Sequence, residues 1–325
     1  MSTEQHELII VTPVYEDAEA SSRLFQELAK QFHEKLFVVA IDDGSVREPL
    51  DTTGLDIAGL DGVILKLRRN VGHQKAIAIG LGYVVETIQP WQRIVIMDSD
   101  GEDVPATIPE LLSQLQDDRI DVVVAKRRNR VETFRFRLFY ALYKRMFRLI
   151  TGRKINFGNF MAISARGAKR LAAMQELSIH VASAVLASKL RIGYCGLNRG
   201  PRYAGQSKMN FVGLAVHGFK GLMVFAEDVL VRVGIFSAML GALSVLGSAA
   251  AVLLKTIGYS TPGWFSISLG ILVLIFLQTG ALSLMSLMLT GVVRSGAVMT
   301  TPSYRDFVEQ VIETKPRART LCAGG

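Results

Sequence analysis

The sequence contains little cysteine, with only Cys195 and Cys322 among its 325 residues. Both are lone residues without metal-ligand spacing, so the sequence predicts neither disulfide bonds nor a thiolate metal centre. The N-terminus also lacks a basic segment followed by a long apolar one, which is the pattern of a secretory signal. We therefore expect the N-terminal domain to stay in the reducing cytoplasm.

Charged residues are absent from two long stretches near the C-terminal end. These stretches cover residues 233–254 and 264–293, and each exceeds the roughly 20 residues that cross a bilayer core. Uncharged runs of this length are rare in the cores of soluble proteins. The sequence therefore predicts two transmembrane helices, at about 233–254 and 266–291.

Basic residues flank the two stretches unevenly. Arg232 precedes the first and Arg294 follows the second, whereas the loop between them carries only Lys255. Because basic residues concentrate on the cytoplasmic side of a membrane, we expect both termini in the cytoplasm. Small residues recur on the first stretch at Ser237, Gly241, Ser244 and Ser248. A stripe of small residues lets helices approach closely, which predicts a homo-oligomer packed through the membrane.

Positive charge is concentrated in one segment. Residues 126–154 contain eleven Lys and Arg residues against one acid, Glu132. Aromatic residues recur there at steps of three and four, which is typical of an amphipathic helix. A basic amphipathic helix beside two membrane spans favours a position on an anionic bilayer surface. Nucleic-acid binding is the alternative for such a run, but it leaves the apolar face unexplained, so we expect no nucleic-acid partner.

Apolar runs of strand type alternate with runs of helical spacing in the first half of the chain. Five such runs, "LIIVTPVY", "LFVVAIDDGS", "GVILKLRRN", "RIVIMDSD" and "DVVVAKRR", end in polar or charged residues. This alternation predicts an α/β domain with a mainly parallel sheet. Ligands of such sheets bind at the carboxyl ends of the strands, where the polar residues lie.

The fourth run ends in a cluster of carboxylates. Alternation along a strand points the side chains of Asp98 and Asp100 the same way, and two like charges in one place favour a cation between them. Carboxylate oxygens suit Mg²⁺ or Mn²⁺, and Glu102 could supply a third ligand. The alternative is a solvated acidic turn, in which Asp103 caps the helix that begins near Pro105.

Four motifs, "VTPVYED", "IDDGS", "RRNVGHQKA" and "DSDGE", occur in this order within the first 105 residues. Together they resemble the family 2 glycosyltransferases of the GT-A fold. The resemblance implies that the first three motifs hold the nucleotide of a nucleotide-sugar donor, with Asp42 or Asp43 on its base. It also implies that Asp98, Asp100 and Glu102 hold a metal ion on the diphosphate. The implied nucleotide-binding residues are Pro13, Tyr15, Asp17, Asp42, Asp43, Arg69 and Asn70.

The second half of the chain resembles the polyprenyl-phosphate glycosyltransferases, which include dolichol-phosphate mannose synthases and bacterial undecaprenyl-phosphate glucosyltransferases. The resemblance rests on the loop "RYAGQSK", which follows a membrane-surface helix and precedes two spans. It implies that Arg127, Arg202 and Lys208 act on the acceptor phosphate. Two positions depart from that pattern: Phe136 replaces a serine, which leaves Arg135 or Arg137 as the second acceptor contact, and Glu102 replaces a glutamine.

We therefore expect an integral enzyme of a bacterial inner membrane that transfers one sugar to polyprenyl phosphate with inversion. UDP-glucose is the expected donor, GDP-mannose is the alternative, and a catalytically inactive membrane scaffold is the rival from another class. No Ser-His-Asp or Cys-His arrangement is evident, and the pattern favours structural roles for His73 and His180. The expected divisions are a nucleotide-sugar core at 1–130, the rest of the catalytic domain at 131–232, the two spans at 233–293 and a cytoplasmic tail at 294–325.

Overall fold

The computed structural model describes residues 5–32, 35–127, 144–203, 211–259, 261, 263–296 and 303–314. The chain divides into two compact units. The first consists of Met1–Lys144, Lys154–Val224 and Thr301–Gly325, and the second of Arg145–Arg153 and Phe225–Thr300.

The first unit is built on an eight-stranded sheet with the order β7-β5-β6-β4-β1-β2-β3-β8. Parallel pairs join β1 to β2 and β4, β2 to β3, and β5 to β7, whereas β6 and β8 pair antiparallel with their neighbours. The predicted α/β fold with a mainly parallel sheet is therefore confirmed. The strands are β1 (Leu8–Val14), β2 (Leu36–Asp42), β3 (Asp61–Leu67), β4 (Arg93–Ile96), β5 (Val122–Arg127), β6 (Met161–Ser164), β7 (Ile192–Leu197) and β8 (Val308–Glu313).

Helices cover the sheet, and their apolar sides form its core. Strands β1 and β2 are buried along their whole length, because a parallel sheet covered on both faces needs continuous apolar runs. Phe25 and Leu28 of the first helix are fully buried against this core. The helices of this unit are α1 (Ala18–Phe32), α2 (Thr53–Ala58), α3 (His73–Val85), α4 (Ile108–Gln114), α6 (Ala165–Ala172), α7 (Val181–Ala187) and α8 (Phe211–Met223). A further helix, α5, is described over residues 144–151, and all of it except Lys144 belongs to the second unit.

The eighth strand lies in the region that the sequence predicted as a tail. β8 pairs antiparallel with β3, and the backbone N–H of Arg68 donates to the carbonyl of Phe307 at 3.0 Å. Before the strand, Arg305 makes an ion pair with Glu86 at 2.8 Å. The sequence "VEQVIE" carries only three apolar residues and most of its side chains are exposed, so apolar patterning alone did not reveal it.

The second unit contains two long apolar helices, α9 (Ala226–Thr256) and α10 (Trp264–Gly296). Both are long and apolar enough to cross a membrane. They pack antiparallel, since a Cβ at Gly241 would lie 3.2 Å from Oγ1 of Thr279 and a Cβ at Gly247 would lie 3.2 Å from Leu272. Ser283 also donates to the carbonyl of Gly234 at 3.3 Å.

The small-residue stripe of α9 faces its partner helix within the chain. Ser237, Gly241 and Ser244 are buried within this unit by the hairpin itself. Close approach of two helices in a hairpin therefore accounts for these small side chains. The homo-oligomer stays a prediction, to which the stripe adds little.

Asp121 connects β5 to two neighbouring elements of the first unit. Its side chain is almost fully buried, and it accepts from Arg166 and from Nε of Arg191 at 2.9 Å. The bonds from Arg191, with those from Arg166, hold the pKa of Asp121 well below its usual range.

We expect Asp121→Asn to lower the free energy of unfolding at pH 7 by about 2 kcal/mol, since a charged acceptor of several hydrogen bonds is lost. A carboxyl with a lowered folded-state pKa stabilises the fold above its unfolded pKa, and this contribution is lost as the pH falls through the folded value. The difference between the two proteins should therefore shrink from pH 7 to pH 3. Thermal unfolding in detergent measures it. Asp117→Asn, at an exposed ion pair with Arg119, is the control, and an equal loss in both variants would contradict this role.

Candidate active site

The carboxyl ends of six strands meet at one edge of the sheet. Strands β1 to β4 run parallel, and the two antiparallel pairings of β6 bring β5, and with it β7, back to the same direction. The loops after β1, β2, β3, β4 and β7 therefore share this edge, as predicted for a site in an α/β domain. Arg127 ends β5 there, opposite Leu197 of β7.

Glu16 ties the loop after β1 to the loop after β2. Its carboxylate accepts the backbone N–H groups of Val46, Arg47 and Glu48 at 2.9 to 3.2 Å, and its own N–H donates to Oγ of Ser45 at 2.9 Å. The amide of Val46, with its neighbours, lowers the pKa of Glu16. Sequence reasoning had singled out the residues on either side of Glu16 and missed Glu16 itself.

The predicted nucleotide residues after β1 surround this connection. Pro13 is buried inside β1, opposite Ile41 of β2. Tyr15 is exposed and Asp17 is half-buried at the start of α1. Tyr15 and Asp17 therefore lie just after the carboxyl end of β1 and are at least partly exposed, whereas Pro13 is buried within the strand.

Asp42 and Asp43 organise the loops after β2 and β3. Asp42 is buried and accepts the N–H groups of Ser45 and Leu50 at 2.9 and 3.0 Å. Asp43 accepts those of Val71 and Gly72 at 2.7 and 3.0 Å. Desolvation raises the pKa of Asp43 despite these bonds. Each aspartate thus has a structural role, and contact of either one with a base stays a prediction.

The turn at Gly44 brings the third motif against the second. Gly44 has a φ of 70°, and a Cβ there would lie 2.5 Å from backbone atoms of Arg69 and Asn70. Only glycine fits this close approach. Arg69 and Asn70 are exposed in the loop after β3, and their contact with a nucleotide stays a prediction.

The carboxylate cluster after β4 forms a tight turn. Asp103 accepts the N–H of Asp98 at 2.9 Å, and Asp100 accepts that of Glu102 at 3.0 Å. The next short helix, Pro105–Thr107, has Val104 at its N-cap position and no side-chain cap. Asp103 therefore closes the turn, and Val104 stands between it and the helix.

His73, at the start of α3, contacts this turn from the neighbouring loop. Its Nε2 lies 3.1 Å from Oδ1 of Asp98 and 3.0 Å from the side-chain amide of Asn159. Desolvation lowers the pKa of His73, but the charges of Asp98 and its neighbours outweigh it, and the net pKa is raised. The signal was the position of His73 in the third motif, beside the same edge. The absence of a second histidine one helical turn away says nothing about this contact, because the partner of His73 is a carboxylate from another loop.

Two arginines approach the turn from the segment after β7. Arg202 makes ion pairs with Asp100 at 2.9 Å and with Glu102 at 3.1 Å, and Arg199 pairs with the other oxygen of Glu102. The sequence predicts Arg202 as a contact of the acceptor phosphate, by resemblance to the polyprenyl-phosphate enzymes and not as a partner of this turn. Arg199 lies outside every motif, so only the fold reveals it.

Backbone contacts hold the segment of these arginines against the acidic turn. The N–H of Gly200 donates to the carbonyl of Glu102 at 3.0 Å, and that of Tyr203 donates to the carbonyl of Asp100 at 2.8 Å. Gly101 has a φ of 88°, and a Cβ there would lie 2.7 Å from the ring of Tyr203. The hydroxyl of Tyr203 donates in turn to Glu27 of α1.

Asp98 and Asp100 have the chemistry of a divalent-cation site. Desolvation and the charge of Asp98 raise the pKa of Asp100 even with both arginines present, because two crowded carboxylates repel each other, and a cation between them would relieve this repulsion. Among the residues that the structure describes, no group of three His, Cys, Asp or Glu side chains is arranged to hold a metal ion. Two carboxylates completed by ligand phosphate oxygens are nevertheless a common arrangement for Mg²⁺.

A small cavity of about 40 Å³ lies beside this turn. Its volume suits an ion with one or two waters. Polar residues from the acidic turn, the segment before β6 and the segment after β7 line it: Asp98, Glu102, Asp103, Asn159, Asn198 and Arg199.

The remaining predicted residues fall where the structure gives less. For Arg127 only the backbone position is described. Lys208, Arg135, Arg137 and Phe136 lie outside the described residues, so their proposed contacts stay predictions.

Comparison with known proteins identifies relatives by sequence. The family described as Glycosyl transferase family 2 matches residues 9–176, more than half of the chain. The uncharacterized glycosyltransferase YkoT of Bacillus subtilis (strain 168) is 24% identical over 307 residues, covering 90% of this chain and 87% of that protein. Dodecaprenyl-phosphate galacturonate synthase of Rhizobium johnstonii is 27% identical over 130 residues, covering 38% of this chain and 37% of that protein.

Similar solved structures include glucosyl-3-phosphoglycerate synthase from Mycobacterium tuberculosis. Its complex with Mg²⁺ and uridine diphosphate has a TM-score of 0.48 and 12% identity, covering 70% of this chain and 80% of that one. Its complex with Mn²⁺, UDP-glucose and phosphoglyceric acid has a TM-score of 0.47 and 13% identity over the same shares.

We expect His73→Ala to weaken Mn²⁺ binding about tenfold, because residues that orient a metal-ligating side chain typically contribute this much. His73→Gln, which keeps a side-chain N–H donor, should retain most of the affinity. Titration of Mn²⁺ into the purified protein, followed by electron paramagnetic resonance, measures both variants. Unchanged Mn²⁺ affinity in His73→Ala would show that the contact with Asp98 does not orient a ligand.

Proposed function

Because the chain belongs to glycosyl transferase family 2, and is therefore a glycosyltransferase that uses a nucleotide-sugar donor, we propose that its acceptor is a polyprenyl phosphate. The transfer moves one sugar at the cytoplasmic face of a bacterial inner membrane and inverts the anomeric centre. The observation that carries the proposal is the pairing of Asp98 and Asp100 with cationic side chains at one sheet edge, in a chain that also has two apolar helices of membrane-spanning length.

On the donor side, Asp98 and Asp100 are the residues that would hold Mg²⁺ or Mn²⁺. Such an ion, when bound, stabilises the negative charge that builds on the departing diphosphate. Tyr15, Asp17, Arg69 and Asn70 border the same edge and line the nucleotide. UDP-glucose is the proposed donor and GDP-mannose the alternative, both by resemblance to the polyprenyl-phosphate enzymes.

On the acceptor side, the nucleophile is a phosphate oxygen that is already ionised at neutral pH, so no strong general base is required. What the reaction needs is orientation of that phosphate and relief from repulsion by the donor diphosphate. Guanidinium groups meet both needs because they bind phosphate oxygens through paired N–H donors. The guanidinium groups proposed for this task are those of Arg127 and Arg202, and the ammonium group of Lys208 assists them as a further positive charge.

A lipid acceptor is supported by two independent features. Two helices of the second unit have the length and composition of membrane spans, which brings an enzyme to its lipid. One partial relative is named a dodecaprenyl-phosphate galacturonate synthase, and its name places a polyprenyl phosphate in its reaction.

The course of the chain supports a hairpin with both ends on one side. Strands β1 to β7 precede α9 and α10, whereas β8 follows them and pairs with β3 in the same sheet. The chain must therefore return to the side from which it left, which requires an even number of crossings. Arg232 and Arg294 flank the apolar stretches, so the proposed side is the cytoplasm.

We expect Asp100→Ala to lower kcat about a thousandfold, because charge stabilisation of the leaving group is lost. Transfer of radiolabelled sugar from a panel of nucleotide-sugars to undecaprenyl phosphate, in membranes with Mn²⁺, measures the activity and identifies the donor. Glu110→Ala, at an exposed position of α4, is the control.

Binding of the donor nucleotide tests the inactive-scaffold rival with the same proteins. Mn²⁺ with nucleotide should raise the unfolding temperature of the wild-type enzyme and should raise that of Asp100→Ala less. Absence of any such stabilisation in the wild type would favour the scaffold, and full turnover by Asp100→Ala would reject the metal role.

We expect Arg127→Ala to raise the KM for undecaprenyl phosphate about tenfold, the loss of one charged hydrogen bond, with the donor KM unchanged. Initial rates at varied lipid and fixed donor measure it. Arg170→Ala, exposed on α6, is the matched control. Equal acceptor kinetics in the wild type and Arg127→Ala would remove Arg127 from the acceptor site.

A further inference from the structure

We propose that Arg199 binds phosphate oxygens at the site and that Glu102 positions it, instead of serving as the third metal ligand. This inference rests on the proposed function, because it concerns how the same site holds a phosphorylated substrate.

Both carboxylate oxygens of Glu102 face guanidinium groups. Oε1 accepts from Nε of Arg202 at 3.1 Å, whereas Oε2 forms an ion pair with Arg199 and accepts no hydrogen bond among the described residues. The Glu102 side chain is only 13% exposed, so water contributes little to its solvation. A divalent cation on either oxygen of Glu102 would lie next to a guanidinium group and would be repelled by it. Asp100 differs, because a guanidinium group contacts only its Oδ2 and its Oδ1 accepts a backbone N–H.

The charges of the site divide into two groups of opposite sign. Asp98 and Asp100 together carry two negative charges, which match one divalent cation. Glu102 with Arg199 and Arg202 carries one net positive charge, which suits a phosphate. Arg202 also reaches Asp100 at 2.9 Å, so the two groups are adjacent, as they must be if metal and guanidinium act on one ligand.

The position of Arg199 allows it to meet a ligand beside the metal. Its side chain lines the cavity that Asp98 also lines, and it is about one-third exposed. The bond from Gly200 to the carbonyl of Glu102 fixes the backbone next to it. Desolvation lowers the pKa of Arg199, but a guanidinium keeps its charge at neutral pH, and a partly desolvated cation binds phosphate more strongly than one in water.

The presence of glutamate at position 102 has a physical reason under this proposal. A neutral glutamine there would leave two adjacent guanidinium groups without a carboxylate between them. Glutamate compensates their repulsion and fixes the fork of each one. The resemblance assigned position 102 to the metal, so the two interpretations lead to opposite results when the metal is removed.

Binding of uridine diphosphate in the presence of EDTA distinguishes Glu102 as a metal ligand from Glu102 as the residue that positions Arg199. With no metal in solution, loss of a metal ligand cannot weaken the binding of the nucleotide, and removal of a negative charge should strengthen it. If Glu102 positions Arg199, however, Glu102→Gln should weaken the binding about tenfold, and Arg199→Gln should do the same. The double variant should bind about as weakly as either single one, since both changes remove one interaction.

Isothermal titration of uridine diphosphate into the full-length protein in detergent with EDTA measures all four proteins. Arg199→Lys keeps the charge without the planar fork and should give an intermediate affinity. Arg119→Gln, at an exposed ion pair with Asp117, is the control and should match the wild type. Arg199 is partly exposed, so its variants decide the question even if Glu102→Gln does not fold.

Three results would overturn the proposal. The first is unchanged or tighter metal-free binding in Glu102→Gln together with weaker Mn²⁺ binding, which would make Glu102 a metal ligand. The second is wild-type affinity in Arg199→Gln, and the third is no metal-free binding by the wild type at all. In each case, binding with Mn²⁺ and sugar transfer by the wild type would leave the proposed function intact, and their absence would reject that function separately.

Discussion

Repulsion among carboxylates at the end of β4 is the constraint on which the site depends. Asp98, Asp100 and Glu102 lie within five residues of one another, and a turn that gathers them must be compensated by positive charge. The fold supplies that charge from two distant parts of the chain, through His73 at the start of α3 and through two arginines after β7. The acidic turn therefore fixes where two other loops must lie.

A second set of carboxylates builds the frame around this turn. The carboxylates of Glu16, Asp42 and Asp43 accept hydrogen bonds from backbone N–H groups of the loops at this edge. The bonds to Asp42 satisfy buried amide groups, and those to Glu16 and Asp43 connect the loops after β1, β2 and β3. These carboxylates thus hold the shape of the sheet edge, whereas in the proposed function those after β4 hold charge for a ligand.

The sequence predicted strands β1 to β5 in their order along the chain, because each is an apolar run that ends in polar or charged residues. It missed β8, whose residues are half polar, since a short edge strand with exposed side chains leaves little apolar pattern. It also placed Asp98, Asp100 and Arg202 at one site by resemblance, without indicating that Arg202 pairs with Asp100. His73 and Arg199 were not predicted as partners of the turn, because ion pairs between distant segments have no local pattern.

The sequence by itself determined the fold class, the family and the two apolar helices, because periodicity, motif order and the length of uncharged runs are local properties of the chain. Only the tertiary structure decided which charges compensate one another, how the segment after the apolar helices rejoins the sheet through β8, and that the small residues of α9 face α10. These outcomes depend on contacts between residues far apart in sequence, and such contacts form only once the chain has folded.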